Sequence, residues 1–555
     1  MSEVSSQPEA SRASIGSGSG QSEEPEAADV LLLLCQDLAT TGFGLPLDEI
    51  GKRLKAANPT LAVGVIPNLC HNPTEVSRSV ATQVGSVVLG VCSSDYAEPE
   101  IRNAVRRQGV DPGGLQAANL GAFCCDVTDT QAAMEKAWVL LAGAVARARA
   151  YPGSTPDNLY PTLAPLSRKV SRRGLFTMPP VQYQTVVSVD SQRCAAVLGC
   201  DLCIQACPKR ALRREGENLL VERWQCSGCG ICMATCPREA IELPGSSTAE
   251  IDAHLTAILQ ATTPPEVGIL FACPGSLKRL ESADEKWLSR STGWLPVTVP
   301  CVGMVPVSCI LQCLARGAGA VALLPCQANC PGSQREAIQG RVDYCRLLLV
   351  ALGGSGDRVL LEPSISLDGN PAEALHGGHA SQVQAGERLG TTLFGPEAAS
   401  RAIEALAEEY GAPSEARVRH ASSPLGVVSV DPDRCTGCSV CAEACPTEAL
   451  KFTRNEAEVT LTFNSRLCVA CDRCVAVCPE GAEEAIQMEH LTQLARLREG
   501  RATVYRDSQP RCDSCGNPVA TTTMLARVLA LLGEEDTPLA HRISRRCLSC
   551  RSLPC

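Results

Sequence analysis

The feature that most constrains this chain is a run of thiols at fixed spacing. Cysteines at 435, 438, 441 and 445 and again at 468, 471, 474 and 478 each read C-x2-C-x2-C-x3-C-P. A second block opens with "VSVDSQRC" at 187–194, the counterpart of "VSVDPDRC" at 428–435, so a module with eight cysteines is present twice. An odd total of 33 cysteines, many in C-x2-C pairs, favours metal ligation over pairwise oxidation and places the chain in a reducing cytoplasm. The polar, acidic residues 1–28 contain no apolar core, so a disordered tail is expected there and not a signal peptide.

The second block has the spacing of bacterial two-cluster ferredoxins. A 4Fe-4S cube needs one thiolate per iron, and a loop with a cysteine at every third residue wraps three corners. The fourth cysteine starts a departing segment, which the following proline restricts, and reaches the neighbouring cube. Cys435, Cys438, Cys441 and Cys478 are thus assigned to one cube, and Cys468, Cys471, Cys474 and Cys445 to the other. Zinc ribbons would need isolated C-x2-C pairs instead of runs of four ending in Cys-Pro. The small and apolar residues between the thiols exclude water and let backbone N–H groups approach sulfur.

The first block departs at its opening loop, which runs C-x5-C from Cys194 to Cys200 and is three residues longer than its counterpart. The same rule gives Cys194, Cys200, Cys203 and Cys236 for one cube and Cys226, Cys229, Cys232 and Cys207 for its partner. Should the longer loop release Cys194, a three-iron form or an unusual potential is expected. In the second block "CPEGAEEAIQM" carries extra residues that alter a turn and not a ligand.

Residues 29–150 alternate strand-like runs ("DVLLLLC", "LAVGVIPNLC", "GSVVLGVC", "LGAFCC") with amphipathic stretches such as "PLDEIGKRLKAA" and "PEIRNAVRRQG". This pattern predicts a parallel sheet, whose ligand sites gather at the carboxyl ends of strands. Cys35, Cys70, Cys92 and one of Cys124 or Cys125 are expected to converge there on a cluster or metal. Residues 264–365 repeat the logic in "VGILFAC", "LPVTVPC" and "AVALLPC" followed by "QANC", which places Cys273, Cys301, Cys326 and Cys330 at one sheet edge. Cys309, Cys313 and Cys345 fall on helix faces, where packing explains them.

On these residues the chain resembles known families. The segment with "PNLCHNPTEVSRS", "GVCSSDYAEPEIRNAVRRQGVDP" and "QAANLGAFCC" is similar to the N-terminal domain of the A-type, flavin-carrying polypeptide of heterodisulfide reductase. The segment with "ILFACPG" and "PCVGMVPVSCILQCLARGAGAVALLPCQANC" resembles the delta subunit of methyl-viologen-reducing hydrogenase. That resemblance implies a 2Fe-2S cluster within 264–365 and electron relay to the reductase. Here "LPCQANC" stands where the delta family usually has a Gly-Cys-His turn. The reductase polypeptide normally carries a flavin domain too, but no G-x-G-x-x-G follows a strand in this chain, so no flavin is expected.

At the end of the chain, after a stretch read as helical, "RCDSCG" and "RRCLSCR" supply Cys512, Cys515, Cys547 and Cys550. Two such knuckles read as a tetrahedral structural zinc site, and a single-iron rubredoxin-type site uses the same ligands. Cys555 is expected to be a spare thiol, and His376 and His379 in "HGGH" are expected to be solvated loop residues. Residues 151–183 and 366–425 read as linkers, the second with one helix, "AASRAIEALAEEYG".

The expected architecture is multidomain α/β plus α+β. Two parallel-sheet α/β domains (29–150 and 264–365) are joined with two 2×4Fe-4S ferredoxin modules (184–245 and 426–490) and a small zinc-knuckle region (491–555). The expected cofactors are four 4Fe-4S clusters in the modules, a 2Fe-2S cluster in 264–365, an additional 4Fe-4S cluster in 29–150 and zinc at the C-terminus. A net charge of -10 and only 3% aromatic residues exclude a nucleic-acid partner. The longest apolar runs are too short for membrane insertion, and "SRRGLF" lies too far inside the chain to act as a twin-arginine signal. The expected function is a multi-cluster electron-transfer subunit serving flavin-containing, hydrogenase or dehydrogenase subunits, without side-chain acid–base catalysis. A redox sensor or cluster scaffold is the alternative, and a self-sufficient oxidoreductase lacks its nucleotide and flavin motifs.

Overall fold

A computed structural model describes residues 28–40, 44–80, 84–93, 95–124, 129–155, 158–163, 181–262, 267–282, 293–326, 334–361, 392–481, 485–532 and 538–551. The chain alternates two α/β units with two small antiparallel units.

In the first unit, β1 (Val30–Cys35), β2 (Leu61–Ile66), β3 (Ser86–Val91) and β4 (Gln116–Asn119) form a parallel sheet in the order β2-β1-β3-β4. All six residues of β1 and all six of β3 are buried, as expected for strands covered on both faces by helices. Because β1 pairs with β2 on one side and β3 on the other, the chain changes winding direction between β1 and β3. The crevice at their carboxyl ends is where open α/β sheets hold ligands.

The run "LGAFCC" is not a strand. The fourth strand is the preceding "QAAN", and Leu120–Cys124 is a short helix. A short apolar run has no periodicity that separates a strand from a buried helical turn.

The second α/β unit uses the same winding. Gly268–Ala272, Trp294–Thr298, Ala320–Leu324 and Val359–Leu361 pair in parallel, with the first strand between the second and third. The helix expected in the 366–425 segment is Gly395–Glu409. It is no part of a spacer, because Ala399, Ala402, Ile403 and Leu406 are fully buried in the core and Gln312 of the helix Val307–Ala315 donates to Ala398 O at 3.0 Å. Residues 151–183 also carry structure: Leu159–Leu163 pairs antiparallel with Val181–Thr185.

Each antiparallel unit closes its first and last strands on each other, Ser188–Val189 with Ile241–Glu242 and Val427–Val430 with Ile486–Glu489. In the later unit Glu458–Asn464 alternates buried Val459, Leu461 and Phe463 with outward residues. It pairs on one side with Leu450–Arg454 and on the other with Arg501–Ser508. The stretch read as helical therefore holds a six-residue helix, Leu494–Glu499, followed by an eight-residue strand.

The helices Thr130–Arg149 and Thr248–Gln260 tie the units together. Arg147, 5% exposed, donates to Thr298 O at 2.8 Å, Gly245 O at 2.6 Å and Ser246 Oγ at 2.8 Å. One guanidinium thus holds the first α/β unit, the end of the first antiparallel unit and the edge of the second sheet. Arg316 meets Asp252 at 2.7 Å and anchors the same inter-unit helix from the other side. No helix among the described residues is long and apolar enough to cross a membrane.

Candidate metal centres

The cysteine-bearing loops share a backbone feature that the sequence shows only in part. The residue just before the second cysteine of each motif is left-handed: Gly199 (φ 80°), Gly228 (φ 62°), Gly437 (φ 63°) and Ala470 (φ 50°). That conformation curls the loop so that successive thiols face one point, and glycine adopts it without strain in three of the four. A short helix then carries each motif from its third cysteine toward its fourth: Leu202–Ala206, Ile231–Thr235, Val440–Glu443 and Arg473–Ala476. Past two of the fourth cysteines the chain turns back, and Ala211 and Ala240 donate backbone N–H groups to Cys207 Sγ and Cys236 Sγ, both at 3.3 Å.

The thiols fall into four sets. Burial, then the neighbouring Cys236, Cys200 and Cys194, push the Cys203 thiol up to about 12. The longer opening loop therefore leaves Cys194 beside its set. Cys232 is raised by burial and by Cys229, Cys226, Cys203 and Cys207. In the later unit burial followed by Cys435, Cys438 and Cys478 raises Cys441 to about 12, and Cys474 is raised by burial and then by Cys468, Cys471, Cys441 and Cys445. Two apolar-walled pockets have the matching linings. One holds Cys435, Cys438, Cys441 and Cys478, and the other Cys445, Cys468, Cys471 and Cys474. Each of these pockets takes three thiols from one loop and one from the sister motif.

Buried thiols crowded together hold their protons, since each thiolate would be desolvated and repelled by the next. A cationic core removes both penalties by bonding the sulfurs as thiolates. The residues present therefore fit a thiolate-ligated iron–sulfur group.

At the switch point of the first sheet, Cys35 ends β1, Cys92 follows β3 and Cys70 lies in the turn Leu69–His71 after β2. Their sulfurs lie within 4.8 Å of one another, with Cys70 to Cys92 at 3.3 Å and Cys35 to Cys92 at 3.8 Å. The Cys35 thiol donates to Cys92 Sγ and the Cys92 backbone N–H donates to Cys70 Sγ at 3.4 Å; the neighbouring Cys35 thiol and that N–H lower the Cys70 pKa, while the proximity of Cys70 raises Cys35. Cys124 is not in this group. It is buried on its helix, which raises it to about 12, and Lys136 is its nearest charge. Cys125 lies outside the described residues.

In the second sheet Cys273 follows the first strand, Cys301 the second and Cys326 the third, the same three positions as Cys35, Cys70 and Cys92. Cys273 Sγ lies 3.4 Å from Ser276 Oγ, and Cys301 Sγ accepts from Gly303 N at 3.4 Å. Among the described residues these three do not form a tight thiol group, and Cys330 lies outside them. Cys309, Cys313 and Cys345 are buried on helices.

Cys512, Cys515, Cys547 and Cys550 converge within 4.8 Å, with Cys515 to Cys547 at 3.5 Å. Sulfurs about 3.8 Å apart are the edge of a tetrahedron around a metal bound at about 2.3 Å, so the donor set fits one ion. The Cys547 backbone N–H directed at Cys512 lowers that thiol to about 6, toward the thiolate a metal requires. This lobe rests on the later antiparallel unit through Thr521, which donates to Thr436 O at 2.6 Å, beside Tyr505 of that unit's own sheet, which donates to Cys435 O at 2.7 Å. Neither residue carries a sequence signal, because both act across long separations. His376, His379 and Cys555 lie outside the described residues.

Comparison with known proteins accords with this geometry. Residues 186–237 and 421–482 each match a 4Fe-4S dicluster domain, and residues 269–377 match the methyl-viologen-reducing hydrogenase, delta subunit. No curated protein matches the chain. The chain carries two 4Fe-4S dicluster ferredoxin domains on either side of a hydrogenase delta-subunit-like domain.

Proposed function

We propose that this protein is a cytoplasmic electron-transfer subunit of a heterodisulfide-reductase- and hydrogenase-like complex, relaying single electrons between partner oxidoreductase subunits. The observation that supports this reading is the pair of apolar-walled pockets in the later unit, one lined by Cys435, Cys438, Cys441 and Cys478 and the other by Cys445, Cys468, Cys471 and Cys474, each with three thiols from one loop and one from the sister motif. Four 4Fe-4S clusters on the four thiol sets would supply one-electron chemistry. The chain's own residues supply the thiolates, exclude water with apolar walls and fix the spacing. The delta-like domain supports a hydrogenase-type partner.

On this reading the second sheet holds a 2Fe-2S cluster on Cys273, Cys301, Cys326 and Cys330. The first sheet holds a further cluster or metal on Cys35, Cys70 and Cys92, and the C-terminal four cysteines hold zinc. The flavin needed to divide electron pairs belongs to a partner. The acidic surface favours transient docking on basic partners and weakens as salt rises.

Anaerobic redox titration followed by visible absorption is the test. A conduit bleaches reversibly on reduction and keeps its iron through repeated cycles. Irreversible bleaching, with transfer of iron and sulfide to an apo-ferredoxin, would establish a scaffold instead.

A further inference from the structure

The three extra residues between Cys194 and Cys200 have a visible use. They lie within the four-residue 3₁₀ turn Ala195–Leu198, and Leu198 O, at its end, accepts two hydrogen bonds from Arg473, at 3.0 Å from Nε and 2.5 Å from Nη2. Arg473 lies between Cys471 and Cys474, in the other ferredoxin domain and 275 residues away. The next residue, Gly199, sits so close that a β-carbon there would collide with the Arg473 guanidinium. A second bridge lies beside it: Arg238, two residues past Cys236, donates to Pro446 O, next to Cys445, at 3.2 Å.

All these contacts sit next to ligands of just two sets, Cys194/Cys200/Cys203/Cys236 and Cys445/Cys468/Cys471/Cys474. The other two sets face outward. Gly230, between Cys229 and Cys232, would place a β-carbon 2.9 Å from Met304 Sδ, in the loop that follows Cys301. Cys435 and Thr436 meet Tyr505 and the C-terminal metal lobe.

We propose that the lengthened Cys194–Cys200 loop, latched by Arg473 and Arg238, is a junction that presses the two inner cubes together. It makes the four ferredoxin cubes one intramolecular line instead of two separate pairs. The order runs from the Cys301 edge of the delta-like domain through Cys207/Cys226/Cys229/Cys232, then Cys194/Cys200/Cys203/Cys236, then Cys445/Cys468/Cys471/Cys474, to Cys435/Cys438/Cys441/Cys478. Each hop oxidises one station by one electron and reduces the next by one, with no bond made and no proton moved. A reduced redox protein supplies the electron at one end, and a one-electron acceptor takes it at the other. The proposal rests on the assignment of the four thiol sets to cubes.

The test removes the outer cubes with Cys229→Ala, Cys232→Ala, Cys438→Ala and Cys441→Ala, then records electron paramagnetic resonance of the anaerobic, dithionite-reduced protein. The expected result is a loss of about eight irons per chain relative to the unaltered protein, with one inner cube left per domain, and a broadened, fast-relaxing spectrum from spins coupled across the junction. Deleting Ala196–Leu198 in that background restores C-x2-C spacing, and Arg473→Ala paired with Arg238→Ala removes the latches. Each should leave the iron unchanged and return two independent signals. The same loss of about eight irons, with uncoupled signals before the loop is altered, would overturn the junction and leave the cubes standing. An unaltered protein without cubane iron would overturn the cube assignment, and the junction with it.

Discussion

Ala470 stands at φ 50°, where the three sister loops place glycine. A non-glycine residue there costs about 1 kcal/mol, because its β-carbon crowds the following carbonyl. Ala470→Gly should therefore stabilise the second ferredoxin domain by about 0.5–1 kcal/mol, read as a later denaturant midpoint of cluster loss, and an unchanged or earlier midpoint would count against the loop argument. His254 poses the opposite problem. It is buried between the two inter-unit helices, neither ring nitrogen has a partner, and burial followed by the nearby Arg147 charge lowers its pKa from 6.5 to about 3. The folded protein keeps this ring neutral, while the unfolded chain takes up a proton below pH 6.5. Stability therefore falls by about 1.4 kcal/mol per unit as pH drops from about 6.5 toward about 3. His254→Leu should flatten that slope in denaturant titrations between pH 7.5 and 5.5, and equal slopes for the two proteins would refute a buried neutral imidazole.

The elements differ in how openly the sequence announces them. The cubane loops are readable because each needs ligands three residues apart, a local requirement, and the strand-ending thiols Cys35, Cys92 and Cys273 follow from apolar runs rich in Val, Ile and Leu that repeat between helical stretches, as in a buried parallel sheet. "LGAFCC" misleads because a short apolar run fits a strand or a helical turn equally. Arg501–Ser508 misleads because Arg501 and Arg506 are exposed and the strand buries only Tyr505, so it shows no apolar alternation. The helix Gly395–Glu409 reads as part of a linker because its neighbours are polar and glycine-rich, yet its alanine and leucine face is covered by Val307–Ala315. Truncating fully buried Leu406 to alanine should cost about 2–5 kcal/mol in the second α/β unit, measured by chemical denaturation. A loss below about 0.5 kcal/mol would mean that the helix is the peripheral spacer its surroundings suggest.

In the whole molecule, two α/β units of the same winding alternate with two ferredoxin units, and the thiols after strands one, two and three recur in both sheets. The repeat is legible in the sequence through "VSVDSQRC" and "VSVDPDRC", but the way its halves meet is not. Arg473 with Leu198 and Arg147 with Thr298 join residues separated by 275 and 151 positions, and no local pattern encodes such pairs. Long-range contacts of this kind turn separate cluster-binding loops into a connected set, and the account depends on what those loops hold. Mössbauer spectroscopy of anaerobically purified, iron-57-enriched protein addresses that most directly. About sixteen irons per chain are expected with the delocalised-valence doublets of 4Fe-4S cubes, over and above any iron in the other thiol sites. Protein whose ferredoxin cysteines carry zinc, or only isolated single irons, would contradict it.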